Sequence, residues 1–283
     1  MLNLDKLNPN LKQWSKPELL LFFVIVPAVV TAIYLLPQPV KDTMILSPSN
    51  SNPFSWFMSN YVHTAVWHFT ANLGSYFIIM FVLFSINTSK KVFRWSSALV
   101  FLVLPFIASL FVVTHMPQAT SQGFSAIDAG LAGYTVYAVY SFMKLRVFKD
   151  TEFDLVYLLV IGNIFFWSLM GGHWDFFYPL IVVVAILLFK NQRVIASLIR
   201  HVMRYNNPFS KESVWHMLFN VYWLLVGLIA AVILFSAYDL LSTSAPQQGV
   251  NILAHYVGYV FGVIVPAMLV LWDSFILWAL RNR

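Results

Sequence analysis

An all-α polytopic membrane protein is the fold class this sequence predicts: a bundle of about eight transmembrane helices with both termini cytoplasmic. Three observations predict it. Of 283 residues, 60% are hydrophobic and only 10% charged, more apolar surface than a water-soluble domain of this length can hide. Eight apolar stretches reach the roughly 20 residues that a helical span requires. Threaded in order, those stretches leave nearly all Lys and Arg on one side of the membrane.

The first stretch, 18–37, has no small-x-small cleavage site and reads as a retained anchor after a cytoplasmic segment 1–17. Outer loop 38–60 carries Pro48, Pro53, Phe54, Trp56 and Phe57, aromatics that suit partial embedding at the membrane–water boundary. Spans 61–86, 96–116 and 122–143 come next. The fifth and sixth, 153–171 and 174–190, are parted only by Gly171-Gly172-His173-Trp174-Asp175, and one bent helix is the alternative there. Segment 191–211 is different. Over 191–205, Val194, Ile195, Leu198, Ile199, Val202 and Met203 share one helical side, and Arg193, Arg200 and Arg204 the other. A helix of that kind lies flat at the cytoplasmic interface against anionic headgroups. Spans 214–240 and 250–279 complete the chain as one membrane domain, 1–283.

Charge fixes the orientation. With eight spans and the N-terminus inside, 16 of the 17 basic residues lie in inner segments, from Lys6, Lys12 and Lys16 to Arg281 and Arg283. Only Lys41 falls outside. Fusing spans five and six would move the Lys190–Lys211 cluster outside, so the distribution of charge favours two spans there.

Composition also narrows the function. There is no cysteine, hence no disulfide framework and no thiolate metal site; no metal or other cofactor is expected. The net charge of +6 is accounted for by topology, so a lipid bilayer rather than nucleic acid is the expected partner. No internal repeat of the kind found in transporters is evident.

Three motifs inside apolar stretches carry chemistry: His68-Phe-Thr-Ala-Asn72, Gly123-Phe-Ser125-Ala126, and Ala254-His255-Tyr-Val-Gly258 continuing to Gly262. Polar side chains are costly in hydrocarbon unless they meet one another or water. A hydroxyl, two imidazoles and a carboxamide are a nucleophile, a base and oxyanion donors, the parts needed for acyl transfer. The predicted topology brings all three motifs in from the outer side, with Ser125 and His255 about 5–10 Å deep. His68 and Asn72 are four apart and share a face. His255, Gly258 and Gly262 share another, opposite a small-residue strip of Ala126, Ala129 and Gly133 that permits close backbone approach. Gln118, Thr120, Ser121 and Gln122 supply a polar approach for water.

In type and order these motifs resemble those of the rhomboid family of intramembrane serine proteases: H-x-x-x-N, then G-x-S-G, then A-H-x-x-G-x-x-x-G. His63, five residues before His68, resembles an upstream histidine of the family. The resemblance covers roughly 18–280 and is with the prokaryotic type, which implies a multi-pass protein of the cell membrane. It implies a Ser–His dyad in which Ser125 attacks a peptide carbonyl and His255 takes its proton. It further implies that His68, Asn72 and the Ser125 N–H stabilise the oxyanion, and that the substrates are single-span membrane proteins.

The sequence departs from the family pattern at several points. Ala126 stands where the family has glycine, and the Trp-Arg signature of loop one is missing. Two extra spans separate the serine and histidine helices. Asp128 has no place in the pattern. Three residues past Ser125, it either bonds a polar group of a neighbouring helix or faces the edge of the cavity in a catalytic or substrate-orienting role. Two other functions compete: a catalytically silent rhomboid-like protein that binds or quality-controls membrane clients, and a small-molecule or proton transporter with His68, Asp128 and His255 as a relay.

Overall fold

A computed structural model describes residues 14–170, 174–205, 225–227, 229–230 and 252–281. Among these, every regular element is helical, and the only other backbone pairings of strand type are the isolated bridges Leu46–Ser121 and Ser47–Asn50. Helix α1, Lys16–Tyr34, widens into a π-helical turn over Leu21–Ile25 just ahead of Pro27. A proline ring crowds the carbonyl four residues back and offers it no N–H, and a wider turn accommodates both effects. Two short helices follow, α2 (Gln38–Asp42) and α3 (Pro53–Met58). Asn52 and Ser55 cap the start of α3 reciprocally.

The second expected span begins later than its hydropathy. Helix α4 runs Val66–Ile86, so Tyr61–Ala65 belongs to the preceding loop. The third expected span starts earlier and is broken: α5 (Lys90–Leu102) and α6 (Leu104–His115) meet at 41°. Pro105 is the cause. It cannot donate to the Phe101 carbonyl, which accepts the Tyr61 hydroxyl instead. Asn60 reinforces the joint by donating to Pro105 O and Ser109 Oγ, both at 3.3 Å.

Helix α7, Ser125–Phe142, is buried along its whole first part, as is each residue from Gly123 to Ala138. A helix surrounded by others needs small and shape-matched side chains more than lipophilic ones. That explains its glycines, alanines and tyrosines. Helices α8 (Asp154–Met170) and α9 (Trp174–Lys190) form an antiparallel pair, with Phe165 stacked on Phe177 at 5.0 Å and Lys190 Nζ bonded to Asp154 Oδ2 at 3.0 Å. They are therefore two helices, each 17 residues long. Helix α10, Gln192–Tyr205, covers the described part of the amphipathic segment, with Val194 buried and Arg193 and Arg200 exposed. Helix α11 spans Ile252–Arg281. The expected span 214–240 and residues 206–211 lie outside the described residues, apart from the few between 225 and 230.

Among the described residues three helices are long and apolar enough to cross a membrane, Lys16–Tyr34, Val66–Ile86 and Leu253–Asp273, and the bent α5–α6 pair, taken as one span, would be a fourth. Their outward residues are apolar: Val24 and Val29 on α1, Ile78 and Phe81 on α4, Met268 and Leu271 on α11 are all exposed. Apolar surface on that scale marks a membrane-embedded body.

The chain divides into two compact units. One contains α1 to α3, the first part of α4, α5, α6, the first part of α7, and α11. Ion pairs tie its helix ends away from the motifs: Glu18 with Lys90 and Arg94, and Lys91 with Asp273. The other contains the remaining parts of α4 and α7 with α8, α9 and α10. All three sequence motifs belong to the first unit.

Candidate active site

Ser125 is the first residue of α7. Gly123, at φ +112°, makes the turn into it, a backbone conformation that glycine adopts without strain. A side chain at 123 would also collide with His68, whose Cε1 and Nε2 would lie 2.5 and 2.9 Å from its Cβ. The glycine therefore does two things: it turns the chain, and it lets the His68 ring lie flat against the backbone two residues before the serine.

The turn is held from below by the loop that precedes α4. Gly123 N–H donates to Ser59 O at 2.8 Å, and Phe124 N–H to His63 Nε2 at 3.1 Å. The Asn72 carboxamide also donates to His63 Nε2, at 2.9 Å. An imidazole nitrogen that accepts from a backbone N–H carries no proton, so His63 is neutral with its proton on Nδ1. His63 thus connects Asn72 on α4 to the residue before Ser125. Its own carbonyl is approached by Lys41 Nζ at 3.4 Å, which also caps α1 at Tyr34 O, 3.2 Å away.

Across from this loop, α11 lies directly on α7. A Cβ at Gly258 would overlap the Ala126 carbonyl oxygen and sit 3.3 Å from Ala129 Cβ. One at Gly262 would overlap the Gly130 carbonyl oxygen and sit 2.9 Å from Tyr134 N. One at Gly133 would overlap Tyr259 O. Residues 258 and 262 thus follow residues 126 and 130 in the same direction, and the two helices are parallel with their backbones in contact. This contact sets the central distance of the site, 2.6 Å from His255 Nε2 to Ser125 Oγ. With the proton of His255 on Nδ1, the serine hydroxyl donates to Nε2, the geometry of a nucleophile and its base.

The first turn of α7 adds a third component. Ile127 and Asp128 N–H both reach Phe124 O, at 3.0 and 3.1 Å. The N–H groups of Ser125 and Ala126 precede them and have no carbonyl of their own helix to bond. They point with the positive end of the helix dipole, a disposition that favours an anion. Ser125, His255, His68 and Asn72 are between 3% and 7% exposed, so a group reacting here is screened from bulk water and its charges act at low dielectric.

No protein-family model matches the chain, and neither does a curated protein or a solved structure.

The structure brings Ser125 and His255 into hydrogen-bond contact, lays His68 on Gly123, and joins Asn72 to His63. Asp128 is placed elsewhere. It is fully buried, and neither carboxyl oxygen has a hydrogen-bond partner among the described residues. It follows Phe124 by one turn, on the face that meets Tyr76, where the Phe124 and Tyr76 rings are 5.6 Å apart, and not on the face that meets α11. Gln122 of the polar approach is bonded to Thr64 Oγ1 at 2.8 Å, and Ser121 is paired with Leu46. Sequence reasoning missed Ser59, Asn60, Tyr61 and Lys41, which build the loop under the nucleophile. One signal was available: under the expected topology Lys41 is the single basic residue that departs from the charge rule, and a buried structural contact is a reason for such an exception.

Proposed function

We propose that the protein is an intramembrane serine protease that hydrolyses peptide bonds of single-span membrane proteins, as its resemblance to the rhomboid family implies. The 2.6 Å pairing of Ser125 Oγ with His255 Nε2, at the N-terminus of a buried helix, carries the reading. In the reaction, Ser125 Oγ adds to the scissile carbonyl as its proton passes to His255 Nε2. The new oxyanion is met by the Ser125 N–H, with His68 and Asn72 completing the donor set. His255 returns the proton to the leaving amine, and the acyl group remains on Ser125. Water then repeats the sequence and frees the acid. Ala126 is compatible with this scheme, since its carbonyl, not its methyl, is what presses on Gly258.

A serine-directed fluorophosphonate tests the proposal. It should label the wild-type protein at Ser125 and leave Ser125→Ala unlabelled; unlabelled wild type would remove the protease reading. It would favour instead a silent client-binding protein, the alternative consistent with a serine only 6% exposed.

His68→Ala and Asn72→Ala are each expected to lower kcat by roughly 10²–10³, with little change in KM, the usual loss of about 3–4 kcal/mol for one preorganised donor. The double variant should fall less than the product of the two. A change confined to KM would reduce both residues to substrate holders. His63→Ala should act through Asn72 and the Gly123 turn, so it should lose stability as well as rate.

Eight spans with both termini cytoplasmic remain the topology we favour. Parallel α7 and α11 need an odd number of crossings between them, which spans five, six and seven supply, and the basic residues partition as described. Reporter fusions after Lys149 and Lys190 should both report the cytoplasm; an outside signal at Lys190 would leave an even number, make α7 and α11 antiparallel, and defeat the assignment.

A further inference from the structure

Below the site, α7 carries a carboxylate that the proteolytic scheme does not use. Asp128 lies in an aromatic box. Phe124, one turn before it, meets Tyr76 at 5.6 Å and Phe101 at 6.0 Å. Tyr134, later on the same helix, meets Phe93 at 6.2 Å. Phe22 of α1 closes the box against Phe93 at 5.1 Å and Phe101 at 6.2 Å, and its carbonyl accepts the Tyr76 hydroxyl at 2.7 Å. Both Asp128 oxygens are fully buried and without a hydrogen-bond partner among the described residues.

A second polar group on the same stripe of the box has no partner either. Ser97 lies midway between Phe93 and Phe101, four residues from each, and so on their face of α5. It is 1% exposed, and its hydroxyl is also unpartnered among the described residues. A buried carboxylate and a buried hydroxyl that both lack partners, on two helices joined by the ring pairs Phe124–Phe101 and Tyr134–Phe93, are rare, because each forfeits its hydration with nothing in return.

The charges of the surrounding helices are engaged elsewhere. Glu18 of α1 holds Lys90 and Arg94 of α5, and Lys91 holds Asp273 of α11. Lys41 binds the carbonyls of Tyr34 and His63. On α4, Tyr76 is the titratable group facing Asp128 and its hydroxyl donates to Phe22; His68 lies two turns earlier, against Gly123. On α11, His255 faces Ser125 on another side of α7. No described side chain supplies the positive charge that a buried carboxylate requires.

The geometry points to Asp128 as the ligand of a buried monocation site, in which one positive charge, a proton on the carboxyl or a sodium ion shared with Ser97 Oγ, neutralises the helix that carries Ser125. The cation is part of the folded state and leaves when the chain unfolds. Stability is therefore linked to the activity of that ion. For the proton the sign is definite. The folded form holds a proton that the unfolded chain releases above about pH 4, so stability falls as pH rises. For sodium, stability rises with its concentration and potassium or choline does not replace it.

Thermal unfolding of the purified full chain in detergent reads this without any assay of proteolysis, so its failure leaves the protease reading intact. Midpoints are measured from about pH 5 to about pH 9, in choline chloride and in sodium chloride, for the wild type, Asp128→Asn and Ser97→Ala. If the cation is a proton, the wild-type midpoint falls by at least about 3 °C across the range, and sodium changes nothing. If it is sodium, the fall is reversed by sodium alone, and Ser97→Ala needs more of it. Asp128→Asn, neutral and nearly isosteric, lacks both responses and keeps only the pH dependence of the other groups, the buried His63 and His68 among them. Wild-type and Asp128→Asn profiles that superimpose would overturn the site. Should Asp128→Asn fail to fold, the wild type decides alone: neither a carboxylic-acid carbonyl band in the infrared nor any sodium response would equally overturn it.

Discussion

Ser125→Ala and His255→Ala are each expected to abolish cleavage of a model transmembrane substrate, by at least about 10⁴-fold, while the protein stays folded. The two side chains meet at 2.6 Å and act as one unit, so the double variant should be no less active than either single one. Stability should change little. Removing the serine hydroxyl deletes the one hydrogen bond between the two side chains, worth about 1 kcal/mol, and the rest of the α7–α11 contact is made by backbone and small residues. The measurement is single-turnover cleavage beside thermal unfolding of the same samples. Near-wild-type turnover by Ser125→Ala would end the protease proposal, whereas loss of activity accompanied by unfolding would leave it undecided only until Ser125→Thr, which keeps the hydroxyl, is measured.

Gly262→Ala is the second large effect. One methyl there would overlap the Gly130 carbonyl oxygen and lie 2.7 Å from its carbon. Backbone cannot yield as a flexible side chain can, so α11 must move away from α7. Overpacking of this kind costs about 1–3 kcal/mol. A displacement of about 1 Å at reacting groups costs roughly 10²-fold in rate. Both losses are expected together, and Gly258→Ala should behave alike because it meets Ala126 in the same way. The control is Gly162→Ala on α8, where a methyl would have no neighbour within 4 Å. It should stabilise by up to about 1 kcal/mol, since glycine is a poor helix former. Full activity in Gly262→Ala would mean that the contact does not set the Ser125–His255 distance.

Much of this was legible in the sequence because hydrocarbon is a severe solvent. It forces long apolar runs into helices and leaves polar residues conspicuous, so the all-helical class, α1, α4 and α11, and the grouping of His68, Asn72, Ser125 and His255 can be read from composition and spacing. The small-residue strips also announced a close contact, since Ala126, Gly258 and Gly262 have little other reason to fall at helical spacing.

What only the tertiary structure decided involves groups whose partners are far away in the chain. Apolarity does not distinguish a helix from a packed loop, so Tyr61–Ala65 read as membrane span when it is the loop that supports the nucleophile. The break at Pro105 is visible in sequence, but the Tyr61 hydroxyl that satisfies Phe101 O comes from forty residues earlier. His63 read only as resembling an upstream histidine of the family, yet its ring nitrogen joins Asn72 to Phe124 N–H, a connection between loop, α4 and α7 that no spacing encodes. Asp128 read either as bonding a polar group of a neighbouring helix or as facing the edge of the cavity, and it has no hydrogen-bond partner among the described residues. Its true surroundings are fixed by Phe22, Phe93, Phe101 and Tyr76 arriving from three other helices. Local sequence determines which groups must find partners in a membrane; packing determines which partners they find, because it brings together atoms that the chain itself keeps apart.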